Sequence, residues 1–187
     1  MNCRLVHIFI SREHNYFGHY GKSAGIEPIV EVEEVELVEG KGIKGDRFFD
    51  FKENYKGQVT FFSSEVYDDL CRLFPEAAKR HGPGAFRRNL IVRGVDLNSL
   101  IGKEFEIQGV RFLGMSECSP CEWMNKAFAP GAKAALKGRG GLRAKILSGG
   151  MLHAGMSADA MSGSSACKLA STDPQDSPGK SDPAPQS

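Results

Sequence analysis

Short segments in which hydrophobic and polar residues alternate recur along most of the chain, which is the pattern of β-strands that bury one face. A first strand is predicted over residues 3–10 and a second over 29–38, where branched apolar residues interleave with glutamates. The adjacent pair Glu33 and Glu34 breaks the period of two, which predicts a bulge. Further strands are predicted over 57–62, 86–92, 104–107, 110–115, 142–147 and 151–153.

Helical signals are few and short. Ser63 or Ser64 is a capping residue before one amphipathic helix, and Pro75 is expected to divide that helix. Gln108-Gly109 between two apolar runs predicts a hairpin. Shorter helical pieces are predicted over 96–101, 120–128 and 132–136. Many short strands, 22 glycines and few helices predict a mainly β, barrel-like or sandwich fold with a few short peripheral helices.

The composition changes after about Met156. Residues 157–187 contain 8 Ser, 5 Ala and 4 Pro, with Leu169 as their only leucine, isoleucine, valine or aromatic residue. Such a segment cannot bury enough apolar surface to offset its ordering entropy. We therefore predict a folded domain over 1–156 and a disordered, low-complexity C-terminal tail over 157–187.

The charge balance narrows the class of partner. The 187 residues carry 24 Lys+Arg against 23 Asp+Glu, a formal net charge of +1, whereas nucleic-acid and membrane-surface proteins normally carry a basic excess. There is no apolar run near the ~18 residues of a membrane span, and the N-terminus lacks the features of a signal peptide. We expect a cytoplasmic protein that binds neither nucleic acid nor membrane, with its five cysteines mostly reduced.

The pair Cys118 and Cys121 forms a Cys-x-x-Cys motif, which can bind metal, exchange a disulfide or supply one activated thiolate. A structural zinc site needs four ligands, and the other cysteines of the domain, Cys3 and Cys71, are isolated, so structural zinc is disfavoured. Cys121 lies near a predicted helix start, where the helix dipole favours a thiolate. The alternative is that both thiols pack as small hydrophobic groups.

A glycine-rich segment ends in Asp46 and Arg47. Gly40, Gly42 and Gly45 permit positive φ angles, so successive amides could form a nest for an anion, and Arg47 offers a planar fork for phosphate. The alternative is an ordinary loop between strands, with Asp46 paired to a neighbour.

Arg87, Arg88 and Asn89 fall within the predicted strand 86–92. Alternation places Arg87 and Asn89 on one face and Arg88 on the other. A guanidinium beside an amide suits an oxyanion or the edge of a heterocycle. The alternative is a solvated strand edge. Lys22-Ser23 is a weaker candidate for a further phosphate contact.

Five segments in this order resemble the MOSC domain, the domain named for the C-terminal part of molybdenum cofactor sulfurase. The resemblance covers about residues 3–155 and implies a β-barrel-like fold that binds the molybdenum cofactor, a metal held by a pterin dithiolene with a phosphate tail. The segments that carry it are Gly42–Arg47, Arg87–Val92, Leu100–Lys103, Cys118–Cys121 and Gly140–Leu147.

The resemblance also implies roles for individual residues. Cys121 matches the cysteine that ligates molybdenum in catalytic members, and a thiolate is a suitable ligand for such a metal. Cys118 is then an additional thiol. The residues that would contact the phosphate and pterin are Arg47, Arg87, Asn89, Lys22 and Ser23.

The function implied is reduction of small N-hydroxylated or N-oxide compounds, with electrons from an external donor protein. We expect no pyridoxal-phosphate desulfurase domain in this chain, so any sulfur would come from a sulfur-donor protein. Two alternatives stay open. One is a non-enzymatic carrier of the cofactor, or of persulfide sulfur on Cys121 or Cys118. The other is a dithiol redox protein that uses the same two cysteines.

Overall fold

Two β-sheets form the body of the protein. The computed structural model describes residues 3–14 and 25–155 and the backbone of 168–169. The strands are β1 (Arg4–Ile10), β2 (Val30–Val32), β3 (Glu34–Val38), β4 (Gly42–Ile43), β5 (Val59–Ser63), β6 (Leu90–Arg93), β7 (Glu104–Ile107), β8 (Val110–Glu117), β9 (Leu142–Ile146), β10 (Gly150–His153) and β11 (Lys168–Leu169). The helices are α1 (Ser64–Leu73), α2 (Pro75–Ala78), α3 (Glu122–Ala127) and α4 (Ala132–Ala135), with 3-10 turns at Pro83–Phe86 and Leu97–Leu100.

The large sheet has eight strands in the order β11-β7-β8-β9-β5-β6-β1-β2, and the small sheet has the order β10-β3-β4. Neighbouring strands are antiparallel except for β5 and β6, which are parallel and are connected through α1 and α2. The mainly β prediction is confirmed. The large sheet is open, so the barrel-like character lies in two sheets that enclose one core. Within the described residues, none of the helices is long and apolar enough to cross a membrane.

An apolar core fills the space between the two sheets. The large sheet contributes Leu5, Phe61 and Leu90, and the small sheet contributes Leu37 and Leu152, all at most 1% exposed. These residues come from alternating positions of their strands, because successive side chains of a strand point to opposite faces. We call this group, with its buried neighbours, the apolar core.

The opposite face of the large sheet is covered by helices. Phe62 of β5 and Ile91 of β6 pack there against Leu70 of α1, Met124 of α3 and the nearby Phe128. β5 is therefore buried on both faces, which explains why the successive residues Phe61 and Phe62 are both apolar. The three layers are the small sheet, the large sheet and the helices.

The predicted strand 29–38 is interrupted at Glu33, as a change of sheet and not as a bulge: β2 pairs in the large sheet and β3 in the small sheet. Other local predictions are confirmed. Ser63 is the N-cap of α1, where its side chain accepts a hydrogen bond from the Val66 amide, and Pro75 separates α1 from α2. Gln108 and Gly109 both adopt positive φ angles, 50° and 81°, as a tight hairpin turn between β7 and β8 requires.

Other predictions need correction. The strand predicted over 86–92 begins only at Leu90, because Pro83–Phe86 forms a 3-10 turn and Arg87 adopts a left-handed conformation with φ 54° and ψ 41°. β4 was not predicted, since two residues are too few for a periodic signal. Within the predicted C-terminal tail, the backbone of Lys168–Leu169 pairs with β7, and the rest of that prediction lies outside the described residues.

Candidate functional site

A buried group of polar side chains lies at one edge of the large sheet. The strands β5 and β6 are parallel and β1 is antiparallel to β6, so the start of β6 and the end of β1 meet at the same edge. We call this group the polar cluster. Its members are Ser11, Asp46, Thr60, Arg87 and Asn89.

Asn89 holds the polar cluster together. Its Oδ1 accepts hydrogen bonds from the Thr60 amide at 3.2 Å and the Thr60 hydroxyl at 2.8 Å. Its Nδ2 donates to the Phe9 carbonyl at 3.2 Å and to Asp46 Oδ2 at 3.1 Å. These four bonds use the whole capacity of the amide, and Asn89 is only 3% exposed. In the structure Asn89 positions Asp46 and Thr60, and the direct cofactor contact predicted for it stays a prediction.

Asp46 is paired, as the ordinary-loop alternative expected. Its Oδ2 accepts from the Ser11 amide at 3.2 Å as well as from Asn89, and its Oδ1 accepts from the Phe48 amide at 3.1 Å. Arg47 Nη1 lies 3.5 Å from Asp46 Oδ2. The glycine-rich segment is thereby tied to the end of β1.

Of the two interpretations of this segment, the structure favours the ordinary loop over the amide nest. A nest needs amides that point at a ligand, but five amides of this segment already donate to backbone carbonyls. The donors are Gly40, Lys41, Lys44, Asp46 and Arg47, and their acceptors are Ile146, Val38, Glu36, Ile43 and Ser11 respectively. Anion binding by this segment would therefore rest on the Arg47 side chain.

Arg87 and Arg47 lie together at the site, although Arg87 arrives there through a left-handed turn rather than through strand alternation. Arg87 Nη2 donates to Ser11 Oγ at 2.7 Å and to the Glu13 carbonyl at 2.9 Å. Burial, reinforced by the charge of Arg47, lowers the pKa of Arg87 to about 10, with Asp46 acting in the opposite direction. The two guanidinium groups thus repel each other in a partly desolvated place.

The side chain of Arg47 is 9% exposed. Burial lowers its pKa, Asp46 opposes that effect, and the charge of Arg88 adds to it. Arg47 and Arg87 therefore place two positive charges near Asp46, and Arg88 adds a third charge close enough to act on Arg47. A local excess of cationic donors that cannot be deprotonated at neutral pH fits an anionic ligand.

The two thiols of the Cys-x-x-Cys motif have different surroundings. Cys118 is 2% exposed, and its amide donates to the Gly141 carbonyl at 2.7 Å. Cys121 is half-buried at the N-cap of α3, as predicted for a residue near the helix start, and its thiol makes no capping hydrogen bond. Both cysteines are free.

Gly140 explains why the motif packs so closely against the loop before β9. A Cβ at Gly140 would lie 2.5 Å from the Cys118 carbonyl oxygen, and a Cβ at Gly141 would lie 2.2 Å from the Phe61 carbonyl oxygen. Neither distance is tolerable for a side-chain carbon, so both positions require glycine. The Gly140-Gly141 pair therefore fixes the backbone that carries Cys118.

Some site residues were found by sequence reasoning and others were not. Arg47, Arg87 and Asn89 come together as predicted, whereas Lys22 and Ser23 lie outside the described residues. Ser11 and Thr60 were missed because single hydroxyl residues at strand ends carry no pattern. Among the described residues, no three histidine, cysteine or acidic side chains are grouped so as to hold a metal. A group that brings its own metal donors and an anionic tail fits the residues present, which are one half-buried thiol and an arginine excess.

Comparisons with known proteins agree with this reading of the fold. The family model of the MOSC domain matches residues 42–158, more than half of the chain. No curated protein matches the sequence at a significant level.

Solved structures share the architecture. The YuaD protein from Bacillus subtilis superposes with a TM-score of 0.60 at 18% identity, covering 82% of this chain and 92% of that one. YiiM from Escherichia coli has a TM-score of 0.58 at 22% identity, covering 76% of this chain and 65% of that one. YiiM from Geobacillus stearothermophilus has a TM-score of 0.60 at 15% identity, covering 90% and 75%. At these identities the likeness shows the fold.

Proposed function

Because this chain belongs to the MOSC domain family, which is associated with molybdenum cofactor binding, we propose that it binds that cofactor and reduces small N-hydroxylated or N-oxide compounds. The observation that carries the proposal is the arginine excess around Asp46, in the domain that also presents the half-buried thiol of Cys121. The first feature suits the phosphate tail of the cofactor and the second suits its metal.

Each residue has a role in this proposal. Cys121 is the metal ligand and catalytic residue, and as a thiolate it is a soft donor. Arg47 and Arg87 donate charge-assisted hydrogen bonds to the phosphate and pterin, while Asn89 keeps Asp46 in place between them. Lys22 and Ser23 are proposed as further contacts to the same group.

The bound cofactor supplies a metal that can exchange two electrons. Reduction of an N-hydroxylated compound to the parent amine consumes two electrons and two protons and releases one water. The electrons come from an external electron-donor protein. The chain itself holds the cofactor. Because Arg47 and Arg87 are partly buried, they bind the anionic end of the cofactor away from water, and hydrogen bonds are stronger there than in water.

A second candidate function is a carrier that passes on the cofactor or a persulfide sulfur without turnover. The observation that favours it is a second free thiol, Cys118, three residues before Cys121. In that case a sulfur-donor protein would load Cys121, or Cys118 once its backbone contacts loosen.

Steady-state kinetics separate the two functions. The cofactor-loaded chain is mixed with a chemically reduced viologen as electron donor and an aromatic hydroxylamine as substrate. We expect many turnovers per chain, a loss in Cys121→Ala of more than about 100-fold, beyond the 10–100-fold typical of residues that only support a ligand, and retained activity in Cys118→Ala. Product that never exceeds the amount of protein would favour the carrier.

A further inference from the structure

Arg88 is a buried arginine whose partners are all uncharged. It is 8% exposed. Its Nε donates to the Gly140 carbonyl at 3.1 Å, its Nη1 to the Phe86 carbonyl at 3.2 Å and its Nη2 to the Cys118 carbonyl at 3.0 Å. Burying a guanidinium against carbonyls alone is costly, because carbonyl dipoles replace only part of the lost hydration.

The three acceptors belong to three separate segments. Phe86 ends the 3-10 turn before β6, Gly140 lies in the loop before β9, and Cys118 follows β8. One planar side chain therefore joins the turn before β6 to the adjoining ends of β8 and β9, where the Cys118 amide and the Gly141 carbonyl continue the pairing of those two strands.

Cys118 is the residue most constrained by this arrangement. Its carbonyl accepts from Arg88 and its amide donates to Gly141, so both of its backbone polar groups are fixed. Gly140 packs against the same carbonyl at a distance that excludes a Cβ. Two residues then separate Cys118 from Cys121, and one of them is Pro120, whose φ is fixed by its ring.

We propose that Arg88 is a positioning residue, which locks the Cys118 backbone against the Gly140 loop and thereby sets where the Cys121 thiol lies in the site. The inference deepens the proposed function, since it concerns the thiol assigned there to the metal. The fork geometry of arginine is what the role requires. A lysine has a compact ammonium group that cannot reach acceptors in three fixed directions of one plane.

The test uses the unloaded full-length chain, so it does not depend on molybdenum. Iodoacetamide alkylation is followed at each cysteine by peptide mass spectrometry. In the wild type we expect Cys121 to react faster than Cys118, because Cys118 is buried. Arg88→Met keeps the length of the side chain but removes its hydrogen-bond donors. In this variant we expect Cys118 to react at least about tenfold faster than in the wild type. That factor corresponds to the loss of one charge-assisted hydrogen bond that opposes local opening of the backbone at Cys118.

Internal references and a conservative variant separate positioning from general stability. Cys3 lies in the apolar core, so its alkylation rate in Arg88→Met should match the wild type. If the planar guanidinium is required, Arg88→Lys should restore less than half of the protection of Cys118 that Arg88→Met loses, with protection expressed as the logarithm of the alkylation rate. Arg143→Met is the matched control. Arg143 Nη1 donates to the carbonyl of Glu117, the residue before Cys118, at 3.2 Å, and this bond does not involve Cys118.

A second variant disturbs the same contact from the other side. Gly140→Ala places a Cβ against the Cys118 carbonyl and should also release Cys118 while leaving Cys3 protected. Unchanged rates at Cys118 and Cys121 in folded Arg88→Met would overturn the proposal. So would an equal rise at Cys3 and Cys118, which would assign Arg88 to the stability of the whole domain. If the expected alkylation rates are found but the cofactor-loaded wild type has no reductase activity, the proposed function alone would be overturned.

Discussion

Most of the polar cluster lies on or beside β1, β5 and β6, three strands that also contribute to the apolar core, yet the two regions are built in different ways. Leu5, Phe61 and Leu90 of the apolar core contribute burial and packing, which depend on volume and tolerate a similar hydrophobic replacement. The polar cluster is held by specific hydrogen bonds, and Asn89 alone makes four side-chain hydrogen bonds to three other residues. Asp46 makes a comparable set.

This difference indicates which region tolerates substitution with the smaller loss of stability. A buried polar group that loses its partner keeps its desolvation cost, whereas an apolar residue that loses a methyl group forfeits only that part of its packing. The polar cluster should therefore respond to single changes more sharply than the apolar core, although it is much smaller.

The largest effect is expected for Asn89→Ala. The change removes a hydrogen-bond partner of the Thr60 amide, the Phe9 carbonyl and Asp46 Oδ2. We therefore expect the free energy of unfolding to fall by about 3–5 kcal/mol. Urea denaturation measures it. Asn98→Ala is the matched control, because Asn98 is exposed and its amide makes one side-chain bond, to the Gly138 carbonyl at 2.7 Å. Similar losses in the two variants would break the distinction.

The next largest effect is expected for Gly141→Ala. Gly141 has φ +107° and its missing Cβ would meet the Phe61 carbonyl oxygen, so strain and overpacking together should cost about 2–4 kcal/mol. In Gly138→Ala the φ is +76° with open space around the Cβ, so only backbone strain of about 1 kcal/mol applies. Equal unfolding free energies for the two variants would show that the close approach is unimportant.

A smaller effect is expected in the apolar core at β1. Ile8→Val removes one methylene carbon from a residue that is 0% exposed, and the expected loss of unfolding free energy is about 1 kcal/mol. Thermal and urea unfolding should remain cooperative. A loss as large as that of Asn89→Ala would contradict the idea that the two regions differ in tolerance.

The smallest effect is expected at the solvent-exposed start of α1. Burial raises the pKa of Glu65, but hydrogen bonds from the Gly94 amide at 2.7 Å and the Ser63 hydroxyl at 2.8 Å outweigh it, so the pKa lies below its ordinary value of 4.5. A depressed folded-state pKa contributes stability that is present above the unfolded pKa and is lost as pH falls through the folded value. Glu65→Gln should lower the unfolding free energy by about 0.5 kcal/mol at pH 7 after solvent screening.

The pH dependence provides the check on that last prediction. The difference between wild type and Glu65→Gln should shrink as the pH falls below 4.5, because the wild-type carboxylate becomes protonated. A difference that stays constant from pH 7 to pH 3 would mean that the hydrogen bonds to Glu65 contribute nothing through its charge.

The fold was largely predictable because its elements carry local signals. Ser63 before an amphipathic run, Pro75 within it and Gln108-Gly109 between apolar runs each act over a few residues. β4 was missed because its pairing with β3 depends on residues brought together by a turn rather than on any pattern within Gly42–Ile43.

The geometry of the site was only partly predictable. The residue types Arg47, Arg87 and Cys121 predict anion and metal binding, and that chemistry stays a prediction. Strand alternation failed for Arg87, because a positive φ at an arginine is set by the turn that precedes it. The contacts of Arg88 could not be predicted from the sequence, since its three acceptors are the carbonyls of Phe86, Cys118 and Gly140, which are far from one another along the chain.

The central claim is that Cys121 and the arginine excess hold a molybdenum cofactor, and the molybdenum and pterin content tests it most directly. The full chain is produced in a host that makes the cofactor, purified without oxygen and compared with Cys121→Ala and Cys118→Ala. We expect stoichiometric molybdenum and pterin in the wild type and in Cys118→Ala, and loss of molybdenum in Cys121→Ala. Full molybdenum in Cys121→Ala, or none in the wild type from a competent host, would contradict it.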